Sequence, residues 1–516
     1  MGSDKSARRT VQEYIDETPE WADGTTVPQV PMTLMQWQIW GLATAGKFFE
    51  GLVVFMTGVA LPLIAMEFHL GSTGKGLVGA ATLFGILIGA TALGGLADHL
   101  GRKQLFIAEM ILFLIFLIAM TLSPTFPLLL VCLFGMGLAL GCDYPTAHLV
   151  ISESIPSNCR GRLVLSAFAF QAVGALVGTA IGYMILKSSA SLTDWRLMYA
   201  TAIIPTILVV IGRFFITQSP QWLMSRGRVD EAEKEILRLL KRQPPYPKKI
   251  VLLEVPDDEP LHERHKSKFS KLFKKNNRRA TILASVPWFL QDLGTYGIGI
   301  FTPTILGAIL GHSNFHEPNL SAVIHNDMIA AKGAAFLDIL LLAGIVCAVF
   351  LADKLGRMKL QVFGFFGCAA GLLLAAFSTH MPAGTIQTIL IFSGFMLFNF
   401  MTNLGPNAMT YLIAGEVFPT KIRGSGAGFA ASFAKIGAVA TAFLFPVLLN
   451  EIGTGILLYI LVGTSLLGAF VTWRFGIETM GVNLENIGRL KARGHSGSGD
   501  PYHGEEHPAA GTAGGP

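Results

Sequence analysis

Long apolar blocks broken by short polar punctuation run through almost the whole chain. Between turn signals they mark segments at 36–66, 76–97, 104–122, 126–152, 163–187, 197–217, 280–311, 329–352, 360–380, 385–414, 425–450 and 454–475. Many approach or exceed the roughly 20 apolar residues that a helix needs to cross a bilayer. Gly and Pro recur inside them, which membrane helices tolerate because neighbouring helices satisfy the freed backbone groups. The pattern predicts an all-α polytopic membrane protein of twelve transmembrane helices in two six-helix halves. Its divisions are an N-terminal segment (1–35), a first half (36–217), a polar central loop (218–279), a second half (280–475) and a tail (476–516).

Composition agrees with that reading. Hydrophobic residues make up 52% of the 516 and charged residues 14%, with a mean hydropathy of +0.53. A soluble domain has about a quarter of its residues charged. The net charge of +5 does not point to nucleic acid, because its distribution matters more than its sum. "DHLGRKQ", "SNCRGR", "DKLGRMK" and "PTKIRG" are basic and fall on one side, whereas "SPTFP" and "THMPAGT" on the other are nearly uncharged. The positive-inside rule then places both termini and the central loop in the cytosol, with the cell membrane as the expected location. "GRVDEAEKEILRLLKRQ" in that loop predicts a short amphipathic helix lying on the membrane surface. The Gly/Ser/Pro/His-rich tail predicts disorder. "MGSDKSARRTVQEYIDETPEW" lacks the apolar core of a cleavable signal, so insertion is expected to use the first span. Cys132, Cys142, Cys159, Cys347 and Cys368 have no metal-ligand spacing and read as free thiols. No metal or cofactor is implied.

Two loop motifs recur in order. "DHLGR" at 98–102 returns as "DKLGR" at 353–357, and "ESIPSNCRG" at 153–161 returns as "EVFPTKIRG" at 416–424. Their charged members are Asp98, Arg102, Glu153 and Arg160 in the first half, and Asp353, Arg357, Glu416 and Arg423 in the second. Repeated halves suggest a transporter whose site lies between them near the bilayer midplane. Acid and base at these helix ends would form a charge cluster that latches the halves in one state.

Ionisable residues inside membrane spans are costly and usually face a cavity. Those found are Lys47, Glu50, Glu109, Asp143, Asp292, Asp338 and Lys435; Gln171, Asn403 and Asn407 are the notable uncharged polar residues. In "VPWFLQDLGTYGIG", Trp288, Asp292 and Tyr296 recur every fourth residue and share one helical face. That row reads as a binding wall or, alternatively, as packing aromatics around a structurally bonded Asp292. Gly174, Gly178 and Gly182 form a stripe suited to close helix contact.

"GGLADHLGRK" at 94–103 resembles the loop motif of the major facilitator superfamily, with His99 where that family usually has Arg or Lys. "TQSPQWL" resembles the sugar-porter pattern Pro-Glu-Ser-Pro-Arg-Trp, but Gln218 and Gln221 replace its charged pair. "GCDYPTAHLVISE" at 141–153 resembles the Gly-Gly-Asp-Tyr-Pro signature of the phosphate:proton symporter family. "GRKQLFIAEM", "WFLQDLGTYG", "LGPNAMTYLIAGEVFPTKIRG" and the position of Lys435 agree with it. The resemblance implies a substrate site of Tyr144, Gln171, Trp288, Asp292, Tyr296, Asn407 and Lys435, and proton coupling through Glu50, Glu109, Asp143 and Asp292. Cys142 and His148 depart from the signature, the first span has one acid where the family has two, and Lys47 is an extra cation.

The function expected is proton-coupled import of inorganic phosphate by alternating access, not enzymatic turnover. The alternative is a proton symporter of an organic metabolite: a carboxylate, aromatic acid or sugar. The partners expected are that small-molecule substrate, protons and the lipid bilayer, without nucleic acid, for a chain acting as a monomer.

Overall fold

In a computed structural model, the polar punctuation of the sequence becomes the turns between long helices. The residues described are 9–18, 30–93, 96–189, 191–241, 250–252, 268–310, 320–419 and 422–480. The first half has spans at Leu34–Glu67, Ser72–Ile88, Arg102–Thr121, Phe126–Ser154 and Ser157–Ser188. Its sixth span comes in two pieces, Asp194–Ala200 and Ile203–Phe215. The second half has Lys275–Leu310, Leu320–Leu355 and Arg357–Ser378, then a tenth span broken at Gly405 into Thr385–Leu404 and Pro406–Glu416. Arg423–Phe475 turns at Gly453, whose φ of 78° is left-handed, and so supplies the eleventh and twelfth. All twelve predicted spans are present.

Local chemistry explains several of the boundaries. Thr33 and Gln36 form a capping box at the start of the first span. Gly101 and Gly356, with φ of 99° and 88°, precede the third and ninth spans. The glycine of the repeated Leu-Gly-Arg is therefore required in both halves by the same left-handed turn. Gly174 and Gly178 meet the carbonyls of Phe48 and Leu52, so the predicted stripe packs the fifth span on the first. Between halves, Gly58 meets the Ile300 carbonyl and Gly76 the Phe443 carbonyl. These close approaches join first to seventh span and second to eleventh.

Two expectations about the polar segments are corrected. The amphipathic helix, Val229–Leu239, turns its apolar stripe onto protein. Ala232, Ile236 and Leu239 are fully buried in a protein cluster with Ile39, Ile151 and Trp222. Thr33 Oγ1 also donates to the Leu239 carbonyl at 2.7 Å. An apolar stripe specifies burial but not whether protein or lipid provides it. The N-terminal segment also joins this cluster. Its helix Val11–Asp16 buries Val11, Tyr14 and Ile15, and Asp16 accepts from the Ser157 backbone N–H at 2.7 Å. Glu478 belongs to the predicted disordered tail, yet it accepts from the Arg357 and Met358 backbone N–H groups, both at 3.1 Å. From 481 onward the tail lies outside the described residues.

Candidate functional site

Four spans converge on one charged cluster between the halves. Lys435 of the eleventh span donates to Tyr296 Oη at 2.5 Å and to Glu50 Oε1 at 3.4 Å, and lies 3.6 Å from Asp292 Oδ2. Tyr296 of the seventh span donates in turn to Glu50 Oε1 at 3.0 Å. From the fifth span, Gln171 Nε2 donates to Tyr296 Oη at 3.1 Å and Glu50 Oε1 at 3.3 Å. The other Glu50 oxygen pairs with Lys47 at 2.5 Å. Asp292 is 1% exposed, Glu50 3% and Lys435 7%. Two lysines face two carboxylates, so the ionised cluster is neutral. An incoming anion would leave unbalanced negative charge in a medium that penalises it.

Beside the cluster is a narrow gap with room for about one water molecule, lined by Gln171, Thr295, Asn403 and Asn407 together with Phe55, Phe168, Leu341 and Ile345. Asn407 Nδ2 donates to Asn403 Oδ1 at 2.6 Å, and Asn403 Nδ2 to the Leu341 carbonyl at 2.8 Å. The break at Gly405 sets Asn407 at the start of a new helix, aimed at this space. Trp288 stands edge-on to Tyr411, with ring centroids 6.3 Å apart. Tyr411 stacks on Phe168 at 4.8 Å and shares a 3.2 Å hydrogen bond with His148 Nδ1. These rings close the space below the charges, toward the loop-motif end. Nothing in the sequence pattern singled out Tyr411.

Glu109 and Asp143 sit elsewhere. Arg213, fully buried, donates to Asp143 Oδ1 at 2.6 Å and Glu109 Oε1 at 3.1 Å. It also reaches the carbonyls of Phe106 at 2.5 Å and Leu42 at 3.3 Å, and lies over the Phe106 ring. A side chain at Gly46 would collide with Asp143, so this glycine admits the carboxylate against the first span. The structure thus brings Asp143 to Glu109 and Arg213, without a hydrogen bond to Glu50. Arg213 was missed because it lies near the end of an otherwise apolar segment. An arginine inside a predicted span was the available signal. The side chains of Tyr144 and Asp98 lie outside the described residues.

The loop motifs repeat in space as they do in sequence. Arg102 pairs with Glu153 at 3.2 Å, and Arg357 with Glu416 at 3.1 Å and Asp353 at 2.8 Å. Arg160 donates to the carbonyl of Ile155, and Arg423 to that of Phe418, both at 3.2 Å. Each of these bonds stays within its own half. Gln218 accepts from the Lys103 backbone N–H at 3.0 Å, so the neutral replacement still ties the third span.

A model of the family described as sugar (and other) transporter matches residues 41–490. The chain is similar to the putative metabolite transport protein YaaU of Escherichia coli (strain K12), with 28% identity over 457 residues, 88% of this chain and 95% of that one. It is similar also to a putative inorganic phosphate transporter of Schizosaccharomyces pombe, with 26% identity over 522 residues, 89% of each chain. Among solved structures, the xylose transporter XylE from E. coli, partially occluded and inward-open, matches with a TM-score of 0.69. That match has 20% identity over 87% of this chain and 100% of the other, a likeness of fold.

Proposed function

Because the chain belongs to the sugar (and other) transporter family of the major facilitator superfamily, and is thus a multi-pass membrane transporter and not an enzyme, we propose that it imports inorganic phosphate with protons by alternating access. The observation that carries this reading is Lys435, held by Tyr296, Glu50 and Asp292 where the halves meet. A negative-inside membrane opposes anion uptake by about 2.3 kcal/mol per charge per 100 mV. Uphill import therefore needs co-transported cations, and the carboxylates beside Lys435 are groups that can carry protons.

In the proposed cycle Asp292 takes a proton while the site faces outward, which removes repulsion toward the anion. Phosphate then binds Lys435, with Tyr144, Gln171, Trp288, Tyr296 and Asn407 as hydrogen-bond donors. The halves rock, and the proton and anion leave to the cytosol. Glu50, Glu109 and Asp143 serve proton movement in the first half, with Arg213 fixing the latter two. Asp98, Arg102, Glu153 and Arg160, with Asp353, Arg357, Glu416 and Arg423, brace the helix ends on which each half turns. Both termini face the cytosol of a cell-membrane monomer, and the two halves span 36–217 and 280–475.

A second reading is supported by the apolar side of the gap. Phe55, Phe168, Leu341 and Ile345 suit a carbon skeleton, and Lys47 supplies a further cation. An organic anion fits those features, in keeping with the metabolite-transport relative. A thermal-shift panel on the purified protein, with phosphate against organic acids and sugars, separates the two. Stabilisation by phosphate alone supports the first; stabilisation by an organic acid and none by phosphate overturns it.

A further inference from the structure

The eighth span carries two buried carboxyls outside the central cluster. Asp327 and Asp338 are each 4% exposed. Their separation of eleven residues (338 minus 327) is close to three helical turns, so they share one face about 16 Å apart along the axis. That face meets the first half. Asp338 Oδ2 accepts from Thr179 Oγ1 of the fifth span at 2.9 Å. Leu341, one turn further, lines the central gap.

Asp327 lines a separate cavity of about 210 Å³ at the end of the bundle away from the loop motifs. Its walls come from both halves: Leu61, Pro62 and Lys75 on one side, Pro303, Thr304 and Asn326 on the other. Both carboxylate oxygens of Asp327 are buried without a hydrogen-bond partner. Lys75 is the charged side chain facing it from the packed elements, and no ion pair joins the two among the described residues. His325 and Lys332 on its own helix are exposed. For Asp338 the facing polar group is the Thr179 hydroxyl. An ionised carboxylate buried without a cation, with one hydroxyl donor (Asp338) or none (Asp327), is costly, and a bound proton removes that cost.

We propose that this face of the eighth span is a second proton-binding site, with Asp327 loading from water in the outer cavity and Asp338 holding a proton where the fifth and eighth spans meet. Each step moves one proton from water to a carboxylate oxygen and returns it to water on release. The inference extends the proton-coupled reading, yet its test needs no substrate.

Dicyclohexylcarbodiimide modifies protonated carboxyls in apolar surroundings. Purified full-length protein treated at a series of pH values, then mapped by mass spectrometry, should carry adducts at Asp327 and Asp338. Labelling should fall about tenfold per pH unit once each group ionises. Infrared difference spectra after a pH jump should lose one protonated-carboxyl band in Asp327→Asn and another in Asp338→Asn. Absence of adducts at both positions at every pH, or bands unchanged in both variants, overturns the proposal. So does protection by sodium at constant pH, which would make the site one for a metal cation. A phosphate assignment that fails leaves these readouts untouched.

Discussion

The Arg213 cluster and the Lys435 cluster use the same chemistry in opposite settings. Arg213 gathers Glu109 and Asp143 inside one half, and it also donates to backbone carbonyls of the first and third spans. Lys435 pairs with Asp292 inside the second half and with Glu50 across the boundary, so this cluster joins the two halves. In the proposed cycle, bonds within one half can last through the rocking, whereas the Lys435–Glu50 pair must be remade. The Arg102–Glu153 and Arg357–Glu416 pairs of the loop motifs likewise lie within one half each. The difference separates groups that make a half rigid from groups that can report its position.

Variants can break this division, and the largest effect should come from Arg213→Leu. It leaves two buried carboxylates without their cation, a loss of about 3–5 kcal/mol. Thermal unfolding in detergent should show a large drop, partly recovered when Glu109→Gln and Asp143→Asn are added. An Arg213→Leu protein as stable as the parent would contradict the structural role. Lys435→Gln should cost less stability, because Glu50 keeps Lys47 and Asp292 can take a proton. It should weaken phosphate binding about ten- to hundredfold, the range for a lost charged hydrogen bond. Isothermal titration measures that change directly. Asp292→Asn should keep substrate exchange in liposomes and lose accumulation driven by a proton gradient; full pH-dependent accumulation would remove Asp292 from coupling. The smallest effects belong to the loops. Glu153→Gln and Glu416→Gln should each cost about 1–3 kcal/mol, less than Arg213→Leu, because the amide that replaces the carboxylate still accepts from the arginine. Matching shifts in the two variants would support the repeat, and a large shift in only one would break it.

Much of this comparison is legible in the sequence. The apolar runs locate the spans, because a bilayer demands length and low polarity and little else. Glu50, Gln171, Asp292, Tyr296 and Lys435 stand out because polar groups in apolar runs are expensive, and the structure brings all five together. Sequence does not say which charges pair. Glu109 and Asp143 look like Asp292 on paper, and only helix packing assigns them to Arg213. The helix Val229–Leu239 has a stripe that fits lipid or protein equally well. Asp327 falls two residues before the predicted start of the eighth span at 329, where a carboxylate looks like ordinary loop polarity. Tyr411 has no periodic partner, since its ring contacts come from Phe168, His148 and Trp288 on other helices.

Uptake of labelled phosphate into liposomes containing the purified protein, with and without an inward proton gradient, tests the central claim most directly. The account predicts accumulation above the outside concentration only with the gradient, and its collapse when an uncoupler is added. Phosphate uptake no greater than in empty liposomes, or accumulation indifferent to the gradient, would contradict it.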